Sequence, residues 1–496
     1  MRFLSRRDFL QGSAALAAAV AGFESKKELF AAPEGEAKKG EASDRLRVAV
    51  IGVHGQGNSH VNGYANRNNC VVATICDADS AVIDKAMTAA EKAQGFAPKY
   101  EQDIRKVMDD KSIDAVSIAM PNHWHALAAI WAMQAGKDVY VEKPVSHNVT
   151  EGRRMVEVAR KYNKICQTGT QSRSSNGMRE AIQYLHDGKL GKVHLARGIC
   201  YKLRGSIGKV KEAQPIPKTV DYALWTGPAP EKPLMRKSLH YDWHWIWDYG
   251  NGDLGNQGIH EMDKARWGLA KNELPKSARS LGGRVGYEDD GETANTQICV
   301  FDYGDCELIF EVRGLPSVSP YPEVVRRKEN AKPGTNFVGN IFYGSEGMLV
   351  CPSYTSGVVV NNDGEIVHEF KGSGDHFGNF VQAVRSRKRE DLNADILEGH
   401  LSSALCHLGN ISYRLGTLEL FDKKMKAFGD DKEAAETLGR LEAHLQDNAI
   451  PLDSTKFHVG KKLLIDAKTE TFKDDKDANQ MLTREYRKGF EVPAKV

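Results

Sequence analysis

Between residues 45 and 142 short apolar runs alternate with amphipathic stretches, and no other feature constrains the fold as much. "RLRVAVIG" (45–52), "CVVATICDAD" (70–79), "IDAVSIAM" (113–120) and "KDVYVE" (137–142) are β-branched runs that stop at glycine, at aspartate or at charge. Helical stretches over 80–94, 101–109 and 123–135 separate them. Strands alternating with helices imply right-handed crossovers and a parallel sheet covered on both faces. The expected class is therefore α/β, with a doubly wound nucleotide-binding domain over residues 45–170.

The first turn of that domain carries a phosphate-loop pattern. "IGVHGQGNSH" supplies Gly52, Gly55 and Gly57, but the dinucleotide template G-x-G-x-x-G asks for glycine where His54 stands. The His54 side chain must turn away, or the pyrophosphate contact must shift to Gly55. Asp77 ends the second strand, about 25 residues beyond Gly52, where a carboxylate accepts from an adenosine ribose diol and repels a 2′-phosphate. NAD is expected over NADP. A glycine turn with a solvated aspartate, binding no nucleotide, is the bland alternative.

"VYVEKPVS" (139–146) ends an apolar strand with a carboxylate, an ammonium and a proline. The last three would lie beyond the carboxyl end of a parallel strand, where open α/β sheets bind ligands. Proline biases Lys143 away from helical geometry, so its side chain can be aimed at a substrate hydroxyl. An exposed strand-end lysine paired with Glu142 explains the spacing equally well.

Taken in order, the glycine loop, Asp77, "MPNHWHA" (120–126), "VEKPVS" and "GNQGIHEMD" (255–263) resemble the Gfo/Idh/MocA family of NAD(P)-dependent oxidoreductases. The resemblance runs over roughly residues 45 to 420. It implies a Rossmann domain followed by an α+β domain (171–420) with a large, mostly antiparallel open sheet, substrate and nicotinamide meeting between them. It makes Lys143 the catalytic lysine, commonly with a cis bond to Pro144, and places Glu142 and Gln171 at the cofactor. Pro121, Asn122 and His125, after the third strand, are expected to flank it. In the family pattern D-x-G-x-H, His260 is acid or base beside an aspartate four residues earlier; here that residue is Asn256, which can orient a hydroxyl but cannot take up a proton. Asp263 substitutes only if it points inward.

The second domain adds substrate candidates. "NTQICVFDYGDCELIFEV" (295–312) and "GNIFYGSEGMLVC" (339–351) read as hairpins. Trp243, Trp245 and Trp247 alternate with polar residues between the domains; tryptophan faces suit sugars, and core or interface packing suits the pattern as well. Trp243, Trp245, Asp263 and His376 are the substrate-side candidates, whereas His400 and Asn410 are assigned to helix packing. No histidine and carboxylate grouping has metal-site spacing.

The ends are different in character. "SRRDFLQGSAALAAAVAGF" pairs Arg6 and Arg7 with a short alanine-rich stretch and reads as a twin-arginine export signal (1–32), followed by a flexible linker (33–44). Residues 421–496 read as a polar extension, an exposed helix followed by a wrapping segment expected to stabilise the fold or a dimer. Lysine plus arginine (68) balances aspartate plus glutamate (66), so neither nucleic acid nor a membrane surface is expected as a partner once the signal is removed. The eight cysteines are scattered and read as buried apolar residues. The expectation is an exported or periplasmic homo-oligomeric oxidoreductase that exchanges hydride between tightly held NAD(H) and a sugar, cyclitol or glycoside carbinol. The alternatives are a redox-neutral, NAD-dependent glycosidase and a non-catalytic sugar-binding protein with a structural nucleotide.

Overall fold

The computed structural model describes residues 44–329, 336–421 and 427–496. The export signal and the linker as far as residue 43 lie outside the described residues. Six strands, β1 (Leu46–Ile51), β2 (Cys70–Cys76), β3 (Lys99–Glu101), β4 (Ala115–Ile118), β5 (Asp138–Val141) and β6 (Cys166–Thr168), pair in the order β3-β2-β1-β4-β5-β6. All five pairings are parallel. The continuous apolar character of β1 and β2 follows from burial on both faces, since helices cover each side. α1 (Gly57–Tyr64), α2 (Asp84–Gln94), α3 (Ile104–Asp109), α4 (Asn122–Gln134) and α5 (Val149–Lys161) make the crossovers.

The second sheet is built from β7 (Leu195–Tyr201), β8 (Ser277–Gly283), β9 (Thr296–Asp302), β10 (Glu307–Arg313), β11 (Phe337–Gly344), β12 (Gly347–Cys351), β13 (Ser356–Asn361), β14 (Ile366–Lys371), β15 (Thr417–Leu420) and β16 (Lys456–Val459). Their order is β14-β13-β12-β11-β7-β10-β9-β8-β16-β15, with β7 and β10 parallel and the other neighbours antiparallel. This is the large, mostly antiparallel open sheet. One face packs on α6 (Asn176–His186), α8 (Gly258–Gly268) and α10 (Ile396–Arg414), around buried Phe301, Phe310 and Phe342. A further helix, α9 (His376–Ser386), returns to the Rossmann side, where Phe377 and Phe380 pack against Tyr64 and Tyr140. Fully burying a side chain such as Phe380 contributes about 2 kcal/mol, so this return ties the two sheets together.

The C-terminal region departs from the sequence reading. The helix expected to be exposed, α11 (Lys432–Asp447), buries Ala434, Leu438, Leu441 and Leu445 against the other face of the large sheet. Charge on its outer face concealed an apolar stripe at helical spacing. Past it, β16 and Leu463–Asp466 pair with β8, and the final residues bring Phe490 edge-on to Trp124 at 5.6 Å. This region supplies strands and core. All eight cysteines are buried and unpaired.

Candidate active site

A cleft of about 2150 Å³ runs between the two sheets, lined by the glycine loop, the ends of β2, β4 and β5, and residues of the second domain. At one end the loop after β1 turns sharply into α1. Gly52 has φ +84°, and a Cβ there would lie 2.7 Å from the Ala119 carbonyl oxygen. At Gly57 a Cβ would meet the Gly52 carbonyl oxygen at 1.8 Å. A Cβ on Gly55, in contrast, meets nothing within 4 Å, so space is open beside the first amides of α1, a helix terminus that favours an anion. The residues fit a dinucleotide diphosphate. His54 does turn away, its ring stacking on His240 with centroids 4.3 Å apart.

Asp77, at the end of β2, is held by two backbone amides. Its Oδ2 accepts from the Val53 amide at 2.8 Å and its Oδ1 from the Asp79 amide at 3.0 Å. Burial pushes its pKa up against those two bonds. The carboxylate therefore pins the loop that it borders.

At the end of β5, the Lys143–Pro144 peptide is cis, and Lys143 Nζ donates to the Asn256 carbonyl at 3.0 Å. Asn256 ends the short helix α7 (Gly252–Asn256 in chain order, ahead of α8), and a Cβ on Gly255 would lie 2.5 Å from Asn251 Cβ and 3.4 Å from the Pro144 ring. Glu142 is buried behind the lysine. Its Oε1 meets His60 Nε2 at 3.2 Å, and its Oε2 accepts the Lys143 amide at 3.2 Å. Burial opposes its ionisation, yet the His60 bond and the Lys143 charge outweigh burial and hold its pKa down. His125 Nδ1 faces the Pro144 carbonyl at 2.6 Å and Nε2 the Met120 carbonyl at 2.7 Å; it fixes the Glu-Lys-Pro turn from behind. Pro121 and Asn122 line the cleft at the start of α4, with Asn122 Nδ2 donating to Asn251 Oδ1 at 3.1 Å.

The opposite wall brings His260, Asn256, Gln171, Trp243 and His376 to the same cleft. His260 is buried, its ring 4.9 Å from that of Tyr354, and its Nδ1 has no partner. Burial and the positive charges of Lys143, Lys264 and Lys202 hold its pKa well below 6.5, so the imidazole is neutral near pH 7. Gln171 Oε1 is likewise buried without a partner. His376 uses both ring nitrogens on the Thr168 carbonyl at 2.9 Å and Ser174 Oγ at 2.6 Å; burial lowers its pKa to about 4.

Two substrate candidates need correction. Asp263 does not point inward: it accepts from Nε and Nη2 of Arg173 at 2.8–3.1 Å and from Ser402 Oγ at 2.7 Å, because the α8 face it occupies packs on α10. Trp245 is buried beneath the Arg204 guanidinium, 5.0 Å from its ring, and lies outside the cleft lining. A single 3₁₀ turn over Asp242–Trp245 breaks the alternation and separates it from Trp243.

Sequence reasoning missed Lys202, Gln257, Tyr354 and His244. Lys202 Nζ donates to Gln257 Oε1 at 2.9 Å, and Gln257 Nε2 donates to Tyr354 Oη at 2.6 Å. Lys202 follows β7 and Tyr354 follows β12; a strand-end position was the available signal, and it says nothing until pairing shows which end meets the cleft. Burial, opposed by the Tyr241 carbonyl and reinforced by Lys143, lowers the His244 pKa to about 3.

Two sequence models of one oxidoreductase family match this chain, its NAD-binding Rossmann fold over residues 46–170 and its C-terminal alpha/beta domain over residues 189–313, together about half of the chain. The chain belongs to the Gfo/Idh/MocA oxidoreductase family. A model of the twin-arginine translocation signal matches residues 4–22 of this Gfo/Idh/MocA protein, which is thus exported by that pathway. Among curated relatives, a glycosyl hydrolase family 109 protein from Shewanella sp. (strain W3-18-1) is 35% identical over 25% of this chain and 28% of its own length. One from Saccharopolyspora erythraea is 31% identical over 39% of this chain and 45% of its own. An alpha-N-acetylgalactosaminidase from Shewanella oneidensis is 32% identical over 24% and 27%. The chain thus spans less than half the length of these relatives. Among solved structures, the WlbA dehydrogenase from Bordetella pertussis, in complex with NADH and UDP-GlcNAcA, has a TM-score of 0.54 at 17% identity, covering 75% of this chain and 97% of its own. Levoglucosan dehydrogenase in complex with NADH and levoglucosan has a TM-score of 0.53 at 18% identity, covering 74% and 96%. Both share the two-sheet fold.

Proposed function

We propose that this exported Gfo/Idh/MocA protein transfers hydride between tightly held NAD(H) and a carbinol of a sugar, cyclitol or glycoside. The observation that carries the reading is Lys143 Nζ, set at the carboxyl end of β5 in the same cleft as the glycine loop and within one helical turn of chain from His260 through its bond to Asn256. Gly52, Gly55, Gly57 and the α1 amides would hold the diphosphate, and Asp77 the ribose; its carboxylate disfavours a 2′-phosphate and so selects NAD over NADP. A bound nicotinamide supplies hydride uptake and return. Lys143 exchanges its Asn256 carbonyl for a substrate hydroxyl and passes the hydroxyl proton in either direction. His260, neutral and with Nδ1 unpartnered, accepts a neighbouring hydroxyl, and Trp243 and Gln171 orient the ring. Export to a compartment poor in free nucleotide favours a dinucleotide loaded beforehand and regenerated in place.

The names of the curated relatives favour a second reading, in which the net reaction is hydrolysis. Oxidising one carbinol acidifies the adjacent C–H. Elimination of the glycosidic substituent, addition of water and reduction of the ketone then follow, with no net redox change. Mixing the protein and its co-purified nucleotide with free sugars and glycosides, and following absorbance at the NADH band beside product release, distinguishes the readings. Lasting absorbance supports oxidation, transient absorbance with a released aglycone supports the glycosidase, and silence with every sugar that binds leaves a sugar-binding protein and overturns both.

A further inference from the structure

After β7 the chain leaves the large sheet and crosses to the rim of the Rossmann domain before it returns at α7. There Val220 bridges Asp79 in antiparallel fashion, the Ser80 amide donates to the Thr219 carbonyl at 3.0 Å, and the Asp221 amide donates to the Ala78 carbonyl at 2.9 Å. Val220, Trp225, Leu234, Leu239 and Tyr249 form a small core of their own against Ala78. Trp124 Nε1 holds the Trp225 carbonyl at 3.0 Å, and a Cβ on Gly227 would lie 2.1 Å from the Trp124 ring. On the outer side, Arg487 of the C-terminal region donates Nε to the Gly227 carbonyl at 2.9 Å and also bonds the Ala223 carbonyl and Glu231.

This crossing segment faces the place assigned above to the adenosine. Leu224, Trp225 and His240 line the cleft together with His54, Asp77 and Ala78. His240 Nε2 meets Asp79 Oδ2 at 2.9 Å while its ring lies on His54 at 4.3 Å and 27°. One side chain of the second domain thus grips both the residue that replaces the template's second glycine and the second aspartate after β2. His54, which breaks the glycine pattern, has a role here that a glycine could not fill.

We propose that residues 216–245 form a strap across the adenosine end of the dinucleotide groove, latched by His240 on Asp79 and His54 and pinned from outside by Arg487, so that bound nucleotide is retained through export. This rests on the reading of the cleft as an NAD(H) site. The adenosine end can leave only if the His240 contacts part, and these join two domains that are otherwise packed together. A hydrogen bond to a carboxylate together with a ring stack slows that step by at least tenfold, roughly the factor their loss removes.

The test loads the mature chain with NADH, chases it with excess NAD and follows the decay of NADH fluorescence, with thermal unfolding as a check on integrity. His240→Ala is expected to release NADH about tenfold faster than wild type. Arg487→Ala, which removes the contacts on the outer side of the strap and the stack on Phe490, is expected to speed release by a smaller factor of about three. Release at the wild-type rate by both loaded variants overturns the strap. A wild-type chain that takes up no NADH at any concentration overturns the cofactor reading and the strap with it.

Discussion

The two ends of the cleft treat their polar groups in different ways. At the dinucleotide end both oxygens of Asp77 accept backbone amides, both ring nitrogens of His125 face carbonyls, and Glu142 lies between His60 and the Lys143 amide. At the substrate end His260 Nδ1 and Gln171 Oε1 are buried without partners. Lys143, Lys202 and Lys264 all act on His260 electrostatically. A buried polar atom left without a partner costs about 1–3 kcal/mol, which a hydroxyl-rich ligand would recover. Asn58 Oδ1 of α1 is also buried without a partner, so the difference is one of degree: the dinucleotide end commits Asp77, His125 and Glu142 to shaping the groove, while the substrate end leaves His260 and Gln171 with hydrogen-bonding capacity to spare.

Lys143→Ala tests that contrast most severely. It removes the one ammonium aimed from β5 into the cleft without touching the glycine loop, so turnover should fall about a thousandfold while stoichiometric nucleotide stays bound. Stopped-flow absorbance and native mass measurement of the same preparation give the two numbers. Loss of nucleotide together with activity would mean that the ends are not separable.

Asn256→Asp should act more gently and through pH. In the wild type, burial and three lysines keep His260 neutral well below its ordinary range, so its protonation removes a hydroxyl acceptor only at acid pH. A carboxylate one helical turn away favours the imidazolium and raises that pKa, which moves the acid limb of kcat/KM upward. At mildly acid pH the variant should lose about tenfold in kcat/KM relative to wild type and little at alkaline pH. An unshifted acid limb would remove His260 from the reaction.

What the sequence revealed and what it hid divide along physical lines. The parallel sheet was legible in β1, β2, β4 and β5, whose buried residues read as apolar runs, whereas β3 (KYE, partly exposed) and the three-residue β6 (CQT) give no such run. The glycine loop was legible because a Cβ at Gly52 or Gly57 has nowhere to go. Lys143 was legible as a strand-end residue held by proline. Lys202 and Tyr354 were not: each sits beyond a strand of the second sheet, and only the β7–β11 and β11–β12 pairings bring those ends to one wall. His60 stayed hidden for a related reason. It lies in α1, 82 residues before Glu142, and nothing local marks it as the group that keeps that carboxylate ionised. Asp263 misled because an aspartate three residues from a histidine has two faces to choose from, and Arg173 claims it.

The smallest expected effect on catalysis concerns two tryptophans that the sequence treats alike. Trp243 lines the cleft with its ring stacked on His244 at 3.6 Å, whereas Trp245 is buried away from the cleft under Arg204. Trp243→Ala should raise the KM for a sugar by about three- to tenfold, the loss of one stacking face, and leave kcat and the melting temperature close to wild type. Trp245→Ala should do the reverse: it opens a hole in the core that costs about 3–5 kcal/mol, lowers the melting temperature, and spares KM in whatever fraction remains folded. The pair therefore separates sugar contact from packing within one turn of chain. If Trp245→Ala raised KM as far as Trp243→Ala does at a temperature where both are folded, the wall of the substrate end would extend past the 3₁₀ turn, and the division between the two ends of the cleft would need to be redrawn around Arg204.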